Sequence, residues 1–135
     1  MTYKVEKVEG IGETYAKKLI EVGVKTTDDL LSKGATPKGR EQLAEQSGIS
    51  EKLILKWTNH ADLMRIKGVA GQFAELLEAA GVDTVKELKH RVAANLQAKM
   101  EEVNAAKNLT NRVPAVKEVE KMIEQAKALE PILTY

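Results

Sequence analysis

The sequence has no cysteine, three prolines, and only one Phe, one Trp and three Tyr among its 135 residues. Without cysteine it can form neither disulfides nor thiolate metal sites. With few aromatics, the core falls to Leu, Ile, Val and Ala, which suit closely packed short helices; strands are expected to be scarce. No apolar run approaches the ~20 residues that span a bilayer, so no membrane partner is expected. The start, Met1-Thr2-Tyr3-Lys4-Val5-Glu6, lacks the apolar stretch of a secretory signal, and the cytoplasm is the expected location.

An excess of charge of either sign is missing too. The chain carries 21 basic and 20 acidic side chains for a net charge of +1, and residues 1–64 hold ten of each. Neither half is a basic domain, so long-range steering toward nucleic acid is weak. Contact with a polyanion has to be local, through backbone amides and a few lysines.

Enzyme signatures are absent. His60 and His90 are the only histidines, and their spacing does not suit metal ligation. The carboxylates are scattered, mostly three or four residues from a lysine, as on ion-paired helix surfaces. Gly68-Val69-Ala70-Gly71 follows an expected helix, not a strand, which argues against a dinucleotide site. Neither catalysis nor a cofactor or metal is expected. Trp57 shares a helical face with Leu53, Ile54 and Ala61 and reads as core, not as a base-stacking platform.

What the chain does contain is an internal repeat. Val8-Glu9-Gly10-Ile11-Gly12 through Leu30 aligns without gaps to Ile66-Lys67-Gly68-Val69-Ala70 through Leu88, at an offset of 58 residues. Tyr15 meets Phe73, Ala16 meets Ala74, Leu19 meets Leu77, Gly23 meets Gly81 and Thr26 meets Thr84. The matched apolar positions mark one face of a helix that opens after each glycine turn. Gly23 and Gly81 fit helix C-caps, and Thr26 and Thr84 fit N-caps, with Asp29 and Glu87 completing capping boxes. Further on, helices are expected from Thr36-Pro37 to Gln46, from Glu51 to Leu63 behind the N-cap Ser50, around Asn95 to Ala105, and from Pro114 to Leu129. In the last stretch the offset grows to about 65, the polar loop Asn108 to Arg112 being the insertion. The expected fold is all-α, with one unit at 1–64 and a diverged second unit at 65–135 joined directly near Met64 to Ile66.

A turn of the form apolar-x-Gly-apolar-Gly before a helix presents successive backbone N–H groups together with the positive end of the helix dipole, which suits an anion. Val8-Glu9-Gly10-Ile11-Gly12-Glu13-Thr14-Tyr15-Ala16-Lys17-Lys18-Leu19 resembles the hairpin of helix-hairpin-helix DNA-binding modules. The first half, with Gly48-Ile49-Ser50 as a degenerate second hairpin, is similar to the N-terminal domain of archaeal recombinases. Ala35-Thr36-Pro37-Lys38-Gly39-Arg40 and Trp57-Thr58-Asn59-His60-Ala61-Asp62-Leu63 extend a likeness over nearly the whole chain to a bacterial and archaeal family of uncharacterised proteins. These resemblances imply two tandem helix-hairpin-helix (SAM-like) units and sequence-independent contact with DNA.

In such modules amides around the second glycine meet a phosphate, and nearby Lys or Arg side chains support it. Carried onto this chain, the candidate DNA-contacting residues are Gly10, Ile11, Gly12, Thr14, Lys17 and Lys18 in the first hairpin. Gly48, Ser50 and Lys52 follow in the degenerate one, and Gly68 and Ala70 in the second copy. Glu9 and Glu13 would repel a phosphate at the first turn. The second copy departs further, with Ala70 for Gly12, Glu75 for Lys17 and Leu76 for Lys18. For every turn the alternative is purely structural, a joint between packed helices, and the chain would then be a scaffold for a protein partner. Lys38 and Arg40 read as a solvated helix start, and Lys86, Lys89, His90 and Arg91 as a charged surface helix.

Overall fold

The computed structural model describes residues 2–135. Among them are eight α-helices and no strand, as expected. They are α1 (Gly12–Glu21), α2 (Thr27–Gly34), α3 (Pro37–Ser47), α4 (Glu51–Leu63), α5 (Gly71–Ala79), α6 (Val85–Leu88), α7 (Ala93–Lys107) and α8 (Val116–Ala128). A 3-10 turn at Val5–Lys7 precedes them, and Lys4 forms an isolated antiparallel bridge with Thr26. No helix among the described residues is long and apolar enough to cross a membrane.

The repeat is written into the backbone hydrogen bonds. Ile11 N–H donates to Val8 O at 3.2 Å, and Val69 N–H to Ile66 O at 3.1 Å, closing the two glycine turns in the same way. Gly10 and Gly68 hold φ of +90° and +93°, a region open to glycine and strained for other residues. At the other ends of α1 and α5, Gly23 and Gly81 are left-handed, and Val24 and Val82 donate to Leu19 O and Leu77 O at 2.9 and 2.8 Å. The correspondence runs past the aligned segment: Lys33 Nζ donates to Val22 O, and its counterpart Arg91 donates through Nη2 to Gly81 O. Both bring a cation to the carbonyl end of a helix.

The next helices show where the copies part. Thr26 accepts from Asp29 N–H while the Asp29 carboxylate accepts from the amides of Lys25 and Thr26, a complete capping box. Those bonds, the Lys25 amide foremost, hold the Asp29 carboxyl below its ordinary value. Thr84 likewise accepts from Glu87 N–H, but the Glu87 carboxylate turns to Arg91 at 2.9 Å, so the second box is only half made. The helix behind it, α6, has four residues where α2 has eight. Thr36 and Ser50 cap α3 and α4 as expected. Pro114, expected to open the last helix, lies two residues ahead of it; α8 begins at Val116, and Glu118 reaches back to the Ala115 amide.

One continuous core holds both copies. It runs from Val5 to Ala126, with α4 packed against α2, α3 and α5, and from Trp57 to Leu63 every residue of α4 is buried. Leu63, Met64 and Ile66 are fully buried at the join. At about 1.5–3 kcal/mol for each such side chain, the copies are packed to each other and not strung on a linker. Asp62, itself buried, accepts from Arg65 and from the amide of Val85, both at 2.8 Å, tying the end of α4 to the start of α6. In the first copy the equivalent amide, that of Thr27, is taken by Tyr3 O at 2.8 Å.

The C-terminal residues, counted with the second unit in the sequence, lie on the first. Thr134 N–H donates to Ala35 O, and the Tyr135 hydroxyl donates to Asn59 Oδ1. This corrects the reading of Arg40 as solvated. It is 5% exposed, and its guanidinium donates to Gly34 O at 2.8 Å and to Thr134 O at 2.7 Å. A buried cation with both forks engaged is a joint between the copies.

Candidate functional site

The first glycine turn ends in α1 with two left-handed glycines, Gly10 at +90° and Gly12 at +62°. Ile11 between them is 1% exposed and pins the turn to the core, while Gly10, Gly12 and Thr14 face solvent. Space around Gly12 is open, with no atom within 4 Å of where a Cβ would stand. The N-cap of α1 is Ile11, which has no side-chain acceptor to offer. The first amides of the helix have no carbonyl four residues back, so they and the dipole end point outward from the turn.

This lack of a cap is not general. Helices α2, α3, α4 and α6 each begin behind a Thr or Ser whose oxygen accepts an amide of the first turn. Helices α1, α5, α7 and α8 have no such acceptor, and of these α1 and α5 follow the two repeated glycine turns. Lys17 and Lys18 follow on the exposed side of α1, with Lys18 Nζ 5.9 Å from the centre of the Tyr15 ring. Tyr15 in turn packs edge-on against the buried Trp57, at 5.0 Å between ring centres. The aromatic pair backs the turn, since a Cβ on Gly10 would stand 3.6 Å from Trp57 Nε1. Trp57 is core, as its helical face predicts.

The second turn repeats the first only to Val69. Ala70 is extended at φ −97°, and α5 starts one residue later, at Gly71. Leu76, at the position of Lys18, is fully buried, because α5 lies against both α4 and α7. Phe73, at the position of Tyr15, faces a guanidinium instead of an indole: Arg112 lies 5.6 Å from its ring centre and pairs with Glu118 at 2.9 Å. Lys67 is exposed, with its amide donated to Gln125 on α8.

The Gly48-Ile49-Ser50 turn spends its polar groups on its own helices. Gly48 is the left-handed cap of α3 and donates to Ala44 O at 2.9 Å, Ile49 N–H donates to Ser47 Oγ, and Ser50 Oγ accepts from Leu53 N–H. Lys52 is exposed on the first turn of α4 and lines a shallow cleft with Lys56 and Glu78. Nearby, the fully buried His60 places Nε2 3.1 Å from Glu78 Oε2, joining α4 to α5. Burial pushes the Glu78 carboxyl up, but His60 and Lys56 outweigh it and leave the group below its ordinary value.

Residues 9–129, a span that holds both glycine turns, match the model of a domain of unknown function, DUF4332. The chain belongs to the DUF4332 family. No curated protein and no solved structure matches it. Membership in DUF4332 therefore assigns no activity, and the site has to be read from its own residues. Three residues of this DUF4332 chain that join the copies do not stand out in the sequence. Arg40 and Asp62 look like surface charges but are buried between the copies. Gly71 looks like part of a glycine-rich loop but is the first, buried residue of α5. A signal for Gly71 does exist: its partner under the repeat is Glu13, so the glycine is not required by the shared turn.

Proposed function

We propose that this DUF4332 protein is a non-catalytic module that binds DNA without reading sequence, gripping a backbone phosphate at the first glycine turn. The observation that carries the reading is the uncapped start of α1 behind Gly10 and Gly12, with Lys17 and Lys18 exposed on the same helix. Amides at a helix start and a dipole end favour an anion, and flanking lysines add charge without selecting a base. Resemblance of this segment to helix-hairpin-helix modules and to the N-terminal domain of archaeal recombinases supports the same assignment. The balanced charge of the chain implies weak binding with few phosphate contacts.

The test is a titration of the wild-type protein against short duplexes of unrelated sequence at low and moderate salt. The expected result is similar affinity for every sequence, falling as salt rises. Absence of binding even at low salt would remove the DNA assignment and leave the helical protein-interaction scaffold as the better description.

A further inference from the structure

Resting on the reading of the first turn as a phosphate grip, we propose that Gly71 is a positioning residue for that turn, and that the second copy serves as its seat and not as a second grip. Gly71 is buried at the first position of α5, with a backbone that does not require glycine. What requires glycine is the neighbour. A Cβ there would collide with the carbonyl oxygen of Lys7 and stand 3.2 Å from the amide nitrogen of Glu9. Both are main-chain atoms, so they cannot swing aside as a side chain would. They immediately precede Gly10-Ile11-Gly12, and a shift of Lys7 to Glu9 carries the gripping amides with it.

The dependence runs one way. The position equivalent to Gly71 in the first copy is Glu13, whose side chain is in solvent. A cleft of about 250 Å³ between the turns is lined by Lys7 and Glu9 from one side and by Gly68, Ala70 and Gly71 from the other. The second turn is a poor anion seat by the same geometry. A Glu9 carboxylate oxygen lies 3.6 Å from the position of a Gly71 Cβ, so a negative charge already stands beside the start of α5. Glu75 and Leu76 take the places of the two lysines. The second copy thus keeps the shape of the turn while its start is used to hold the first.

The experiment compares Gly71→Ala, Lys67→Glu and wild type in duplex titrations at several salt concentrations, with backbone amide NMR shifts as the second readout. Gly71→Ala is expected to shift the amides of residues 7–12, weaken duplex binding severalfold, and lower the salt slope by about one, as for one lost phosphate contact. Lys67→Glu is expected to leave the salt slope unchanged. Because Gly71→Ala can also fail to fold, amide hydrogen exchange is measured on the wild type with and without duplex. Residues 12–14 and 71–73, the uncapped first amides of α1 and α5, should gain protection together. The proposal is overturned if a folded Gly71→Ala variant leaves the shifts of residues 7–12 or the affinity at wild-type values. It is overturned equally if Lys67→Glu lowers the slope, or if duplex protects residues 12–14 without 71–73. Failure of the wild type to bind duplex at all is a different result, since it removes the grip itself and the proposed function with it.

Discussion

At the first glycine turn α1 leaves Ile11 with one side in solvent, and the exposed positions two turns on are Lys17 and Lys18. At the second, α5 leaves Ala70 between α4 and α7, and the equivalent positions are Glu75 and the fully buried Leu76. The turns are closed by matching hydrogen bonds and hold their first glycines within a few degrees of each other. A backbone motif can therefore be kept while the surface beside it changes, because that surface depends on which face of the following helix remains wet. Where α5 lies against α7, a core leucine stands in place of a lysine, so the proposed anion seat of the first turn has no counterpart in the second.

The largest effects are expected where each turn is backed. Trp57→Ala removes the indole behind Tyr15 and Gly10 and should cost about 3–5 kcal/mol, measured by urea denaturation. Asp62→Ala strips the amide of Val85 and the guanidinium of Arg65 of a shared buried acceptor, for about 3 kcal/mol. Amide exchange should then rise first in α6, whereas α2, held by Tyr3 O, stays protected. Equal loosening of α2 and α6 would mean that the two copies are not anchored separately.

A smaller pair of effects checks that the turns share a backbone. Gly10→Ala and Gly68→Ala should each cost about 1–2 kcal/mol, since both force a side chain into the left-handed region. Ala70→Gly should cost only ~0.4–1 kcal/mol, chiefly by freeing the unfolded chain, because Ala70 is already in an ordinary conformation. It should not raise affinity for DNA, and an increase would mark the second turn as a weakened phosphate site.

The link between copies also has a pH signature. The folded Glu78 carboxyl lies below its ordinary value of 4.5, so it adds stability above that pH and loses it as pH falls through the lowered folded value. Asp83 is the opposite case: partial desolvation, with Glu87, Glu78 and Asp62 nearby, outweighs a bond from its own backbone and raises its carboxyl. Urea midpoints across the acid range should show Glu78→Gln flattening the acid loss. Parallel curves for Glu78→Gln and wild type would remove Glu78 from the joint.

Much of this fold is legible in the sequence because its signals are local. Thr26, Thr36, Ser50 and Thr84 mark helix starts through bonds three residues long, and the repeat locates both turns. What is not legible joins distant residues. Arg40 meets Thr134 across 94 positions and Asp62 meets Val85 across 23, and nothing in their neighbourhoods separates them from solvated charges. The candidate site divides in the same way. Gly10, Gly12, Lys17 and Lys18 can be picked from the turn pattern, but the Gly71 contact with Lys7 and Glu9 depends on how one copy rests on the other.

The difference between the turns is tested most directly by reversing charge at each. Lys17→Glu/Lys18→Glu and Lys67→Glu are compared with wild type on one duplex at several salt concentrations, with circular dichroism to confirm the fold. All three positions are exposed, and such substitutions usually change stability by less than about 0.5 kcal/mol. The double variant should bind every sequence more weakly with a flatter salt dependence, while Lys67→Glu follows wild type. Equal loss from both, or loss from Lys67→Glu alone, would contradict a grip confined to the first turn.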